Sequence, residues 1–168
     1  MTGGTGFLGL HLARALARAR YEVRTLDDLE RVLVRFDDDK AGNTALAQYL
    51  WGYNLWTRAG QLRGLAAYFR SIGVADRAAL AAWAHRSTFE NDFQGRVKGL
   101  GRAVYESLLM RQGVDTVKPD VHVRRFAEAA VGRTLNDEDV IEVVSRAAKR
   151  LGIKAYELDW RIWEASQE

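Results

Sequence analysis

Along most of the chain, apolar residues return every three or four positions, the spacing that lines one face of an α-helix. In "TALAQYLWGYNLWTRA" (44–59) Leu46, Leu50 and Tyr53 set this rhythm. It continues through "GQLRGLAAYFRSIG", "DRAALAAWAHR", "RAVYESLLMRQG", "DVHVRRFAEAAVG", "LNDEDVIEVVSRAAKRLG" and "AYELDWRIWEASQ". Start signals precede several of these runs: Asp76, and Asn136 or Asp137, stand where a side-chain oxygen accepts from the first free N–H groups of a helix. Stop signals follow them, with Gly73, Gly113, Gly132 and Gly152 just past the periodic stretch. The pattern predicts an all-α fold, a compact bundle of short helices over residues 37–168, preceded by a glycine-rich segment over 1–36. Only "YEVRTLDD" and "RVLVRF" (31–36) read as strands. No internal repeat or long linker divides the chain.

Composition narrows the chemistry more than it names it. The chain has 168 residues, enough for one domain with a sizeable core, and a single proline, in keeping with helix. It has no cysteine, which excludes disulfides, thiolate metal sites and cysteine nucleophiles. Its three histidines, His11, His85 and His122, are scattered, and no metal site is expected. The net charge of +3 is too small to prove a polyanionic partner. No apolar run reaches the roughly 20 residues of a membrane span, and the N-terminus lacks the marks of a signal peptide. A cytosolic protein without a membrane partner is the expectation; the pattern is silent on oligomeric state.

The first residues pull toward a different chemistry. "TGGTGFLG" (2–9), followed by "LHLARALARARYEVRTLDD", resembles the first βα unit of the extended short-chain dehydrogenases. In that family the glycines let backbone approach a dinucleotide pyrophosphate, which would put Asp27 or Asp28 near the ribose. The context departs from the family. Only Met1 precedes the motif, where a strand is needed, and Tyr105 and Tyr156 are followed four places on by Leu109 and Trp160, not lysine. Residues 1–36 are accordingly read as a Rossmann-like remnant or an amphipathic helix, and no cofactor is expected.

The richest stretch is "VKGLGRAVYESLLMRQGVDTVKPDVHVRRF" (97–126). Two glycines around one apolar residue make a turn too tight for side chains. Successive N–H groups opening into a helix form an anion site. Lys98 and Arg102 flank Gly99, Leu100 and Gly101, with Leu100 available to plug the turn into the core. Such a turn can hold a DNA phosphate without regard to sequence; an ordinary helix–helix turn has the same composition. Further on, Asp120 follows the only proline at the start of a predicted helix. It would cap that helix, a contribution of about 1 kcal/mol. A carboxylate beside a groove can also stabilise positive charge on a sugar or orient a water.

Residues 44–168, and 97–126 most clearly, resemble the helix-hairpin-helix DNA glycosylase superfamily, which includes endonuclease III. In that family an apolar-glycine hairpin opens a helix, and a catalytic aspartate follows about twenty residues later, ahead of a histidine and a basic residue. The resemblance implies a helix-hairpin-helix motif, double-stranded DNA as partner, Asp120 as catalytic residue, and Lys98, Gly99, Leu100, Gly101, Arg102, Lys118, His122 and Arg124 as DNA-binding positions. Members with lyase activity carry a lysine where this chain has Ala103, so a monofunctional base-excision enzyme is implied. A flipped base must be held between aromatic surfaces. Trp51, Tyr53 and Trp56 are the candidates, with Asn54 as a wedge; core packing is the competing reading for each, and Trp83, Trp160 and Trp163 read more simply as core or helix-packing residues. The expectation is a DNA glycosylase, the alternatives being a non-catalytic DNA-binding module and an NAD(P)-binding fragment.

Overall fold

The structure, a computed structural model, describes Val23 and residues 25–167. Among the described residues it is built of helices: α1 (Leu26–Leu33), α2 (Lys40–Trp51), α3 (Trp56–Ser71), α4 (Arg77–Arg86), a π-helical turn (Phe89–Phe93), α5 (Arg102–Arg111), α6 (Val121–Val131), α7 (Asp137–Leu151) and α8 (Ala155–Ala165). The all-α expectation holds. The glycine-rich residues 2–9 lie outside the described residues.

Local chemistry explains most boundaries. Asp39, Asp76, Asp120 and Asn136 each accept from the first turn of the helix that follows, satisfying N–H groups that have no partner within the helix. The run at 44–59 is two helices, because Gly52 adopts φ 76° and ends α2. The predicted strand 31–36 does not form, and of the other, 21–28, the described residues Leu26–Asp28 are helical while Tyr21, Glu22 and Arg24 lie outside the described residues. Thr25 and Asp28 make a reciprocal capping box that starts α1, so Asp27 and Asp28 lie in a helical first turn and Val32 and Leu33 belong to the same helix. The capping bonds, together with burial of Leu26, Val32 and Leu33, outweigh β-propensity here.

Two hydrophobic clusters organise the packing. The larger joins α1–α5 and the π turn around Leu46, Ala47, Leu62 and Phe93. Its aromatic part sets Trp83 edge-on to Phe69 and Tyr105, with centroids 5.2 and 5.8 Å apart, the offset that ring quadrupoles favour. Residues 25–36 are integral to this lobe: the Leu26 N–H donates to the Ala75 carbonyl (2.7 Å), and Arg70 pairs with Asp27 and Glu30. The smaller cluster joins α6, α7 and α8 around Val123, Val140 and Val144. Residues 112–120 connect the two lobes, and Thr116–Pro119 within them are buried. A buried, non-helical strand of chain must find partners for its polar groups, and those partners make the site.

Candidate functional site

The Glu106 carboxylate, buried on α5, accepts from the Thr116 hydroxyl (2.8 Å) and from Arg102 (2.6 Å). On the other side, buried Asp159 of α8 accepts the Lys118 backbone N–H (2.7 Å). The Lys118 ammonium turns back to Asp120 (2.9 Å), and both side chains are about nine-tenths buried. The second Asp120 oxygen accepts from the His122 and Val123 N–H groups (2.9 and 3.2 Å). Asp120 is thus a helix cap and an ion-pair partner at once, and Lys118 bridges it to Asp159. Burial pushes the Asp159 carboxyl up to about 6, reinforced by the nearby Asp120 charge and opposed by Lys118.

Beside this cluster, α5 and α8 bound a slot of about 420 Å³. It is lined by Met110, Arg111, Lys118, Tyr156, Asp159 and Trp160, together with Ser107 and Glu157. Trp160 is 56 % exposed and lies against Trp163, centroids 5.1 Å apart; of the two roles expected, core or helix packing, these two surface residues do not take the first. Arg111 is exposed as a residue, and partial desolvation against the slot lowers its guanidinium below its ordinary value.

The glycine turn is open to solvent at Gly99 and Gly101 and plugged by buried Leu100. Gly99 has φ 80°, a conformation that disfavours a side chain. Its carbonyl accepts from Gln61 (3.2 Å). No side chain caps α5, which begins at Arg102. The turn is entered from the π-helical residues 89–93, not from an α-helix.

Several predicted basic contacts are already occupied. Arg102 is held by Glu106 and Glu90 (2.6 Å each) and lies over the Phe89 ring. Burial opposes its charge, yet these carboxylates raise its pKa on balance. Arg124 bonds to the Leu135 carbonyl and to Asp137. Lys98 is exposed. The predicted aromatic set is dispersed: Trp51 is buried with no partner for its indole N–H, while Tyr53, Asn54 and Trp56 are exposed. Lys40 sits over the Trp56 ring at 5.6 Å. These four residues do not line the slot.

The arrangement defines an all-helical, two-lobed domain with a carboxylate–lysine cluster where the lobes join. The chain belongs to the family described as Domain of unknown function (DUF8548), whose model matches residues 56–167. Residues 1–77 are similar to an NAD-binding family described as Male sterility protein. No curated protein and no solved structure matches. These matches correct the resemblance of 44–168 to helix-hairpin-helix glycosylases, a family that neither of them names. The physical reason lies in what carried that resemblance. A glycine turn and an aspartate ahead of a helix are what helix termination and capping require in any helical protein. Within the Male sterility match, residues 26–77 hold helices and no strand among the described residues.

Sequence reasoning missed Asp159, Arg111 and Trp160. A signal was present: in "AYELDWRIWEA" Asp159 interrupts the stripe Ala155, Asp159, Ile162, and Tyr156, Trp160 and Trp163 form a second stripe at the same spacing.

Proposed function

We propose that the chain binds double-stranded DNA and hydrolyses the N-glycosidic bond of a damaged or mispaired base, with Asp120 as the essential carboxylate. The Lys118–Asp120 pair carries this reading. A carboxylate about nine-tenths buried is oriented by two backbone N–H groups and by the ammonium of Lys118, a residue that itself lines the slot. Fixed charge of that kind stabilises positive charge developing on a sugar as the base departs. The backbone at Gly99–Arg102 and exposed Lys98 supply the phosphate contact; Arg102 and Arg124 serve the fold through their ion pairs. Ala103 stands where lyase members carry a lysine, and the Lys118 ammonium is paired with Asp120, so the proposed product is an abasic site.

The test is base release from a panel of lesion-bearing duplexes, with wild type and Asp120→Asn compared at matched DNA occupancy. Alkali-dependent strand cleavage by wild type alone is expected. Equal release by both proteins, or none from any lesion, would sink the hydrolase reading. One observation favours a second reading, a non-catalytic DNA-binding module: both Asp120 oxygens are engaged in capping and pairing. That reading expects equal DNA binding by both proteins and no release.

A further inference from the structure

Helix α8 presents two faces whose chemistry differs from what packing alone requires. Its buried face runs Ala155, Asp159, Ile162. A carboxyl in such a stripe is costly unless its oxygens are used. Only one oxygen of Asp159, Oδ2, has a hydrogen-bond partner among the described residues, the Lys118 N–H. The residue is 8 % exposed and borders the slot. The adjoining face runs Tyr156, Trp160, Trp163, all substantially exposed.

The slot therefore combines three kinds of surface. Trp160, Tyr156 and Met110 offer apolar and aromatic walls. Asp159 offers an uncommitted carboxyl oxygen. Arg111 offers a guanidinium with no ion pair among the described residues. The slot is open to solvent on one side, and its volume of about 420 Å³ has room for a small ring system, small-molecule sites running to about 300–1,000 Å³. An aliphatic ligand would leave the carboxyl and guanidinium unused. A peptide segment would bring backbone donors and acceptors that these walls do not answer. A planar heterocycle with a hydrogen-bonding edge uses all three surfaces: its faces stack on the indole, its edge meets the carboxyl, and an attached phosphate meets Arg111.

We propose that the slot between α5 and α8 holds a nucleobase, with Trp160 against its face and Asp159 bonded to its edge as the proton donor when that base is released. The binding half stands on the slot alone; the proton-transfer half rests on the N-glycosidic reading above. In the step, the C1′–N bond breaks and its electron pair stays with the base nitrogen. The Asp159 proton goes to that nitrogen, water oxygen bonds to C1′, and the water proton passes to Asp120. Exchange with solvent then restores both carboxyls. Among the described residues, the charged groups that act on Asp159 are Lys118 and Asp120 from the connecting segment, and Arg111 from α5 and Tyr156 and Glu157 from its own helix line the same slot. Elevation of the Asp159 carboxyl by burial suits a donor working just below neutrality.

The experiment is a titration of the full chain with free adenine, guanine, cytosine and uracil, followed by NMR on the five tryptophan indole N–H signals. The Trp160 signal is assigned by its loss in Trp160→Phe. At least one base is expected to shift the Trp160 signal saturably, with affinity reduced tenfold or more in Asp159→Asn. In Phe126→Ala, an exposed site outside the slot, affinity is expected to stay unchanged. No saturable shift with any base, or equal loss in Phe126→Ala, would overturn the proposal. So would a dimer that dissociates in Trp160→Ala, since the aromatic face would then be covered by a second copy. Base-release assays keep the two readings apart. Base binding without release from any lesion retains the slot as a binding site and removes both the proton transfer and the hydrolase reading. Release that survives unchanged in Asp159→Asn retains the hydrolase reading and removes Asp159 as donor. Where release occurs, its low-pH rise is expected to vanish in Asp159→Asn.

Discussion

Replacing Asp159 by asparagine tests the electrostatics of the site through stability, without reference to any substrate. The folded protein holds this carboxyl near 6, against an ordinary value of 3.8. Its pKa is raised on folding, so the native state binds the proton more tightly than the unfolded chain does. Linkage then requires stability to fall as pH rises through the interval from 3.8 to about 6 and to level off above it. At about 1.4 kcal/mol per pH unit, the full loss is about 3 kcal/mol. An asparagine has the same shape, still accepts the Lys118 N–H through its amide oxygen, and carries no charge to desolvate. The expected result is a stability difference, variant minus wild type, that grows by about 2.5 kcal/mol between pH 4 and pH 7.5. Urea unfolding followed by circular dichroism at five or six pH values measures it. A difference that stays constant across that range would show that Asp159 is not desolvated as described. A difference that shrinks would reverse the sign of the argument.

Three further expectations concern the frame around the site. Glu106→Ala removes the buried acceptor of Arg102 and Thr116 and should cost about 3 kcal/mol, because breaking a buried pair strands its partner; a loss under about 1 kcal/mol in urea unfolding would mean that Glu90 alone satisfies Arg102. The two glycines of the turn should separate: Gly99→Ala, at φ 80° with Gln61 only 2.7 Å from the new methyl, should cost about 1–2 kcal/mol, whereas Gly101→Ala meets nothing within 4 Å and should stay within about 0.5 kcal/mol. If the turn holds a phosphate, Gly101→Ala should still weaken DNA binding in a fluorescence-anisotropy titration and lower its salt dependence. Gly42→Ala places a methyl 2.1 Å from the Asp37 carbonyl oxygen, and calorimetry should show a loss of about 1–3 kcal/mol.

How much of this was legible beforehand follows the range of the interaction involved. Asp76, Asp120 and Asn136 act on N–H groups two or three residues away, so their capping roles could be read from the chain. Gly132 and Gly152 end helices by their own backbone conformation and were equally plain. The segment 31–36 misled because "RVLVRF" has strand composition, while the capping box at Thr25 and burial against α3 made 26–33 helical. The partners of the basic residues were hidden for a different reason. Arg102 and Arg124 looked available in sequence, and their carboxylate partners, Glu90 and Asp137, stand 12 and 13 positions away.

By itself, then, the sequence determined the helical class, most helix ends, the glycine turn, and the exclusion of disulfide and thiolate chemistry, because propensity, capping and composition act locally. Tertiary structure decided what the site is made of. Lys118 and Asp159 are 41 positions apart and touch only because a buried connecting strand must find an acceptor for its N–H. Trp160 on α8 of the second lobe and Arg111 on α5 of the first come to share one slot only in the folded chain. Folding alone pays the cost of burying those groups, and no spacing along the chain records which of them will meet.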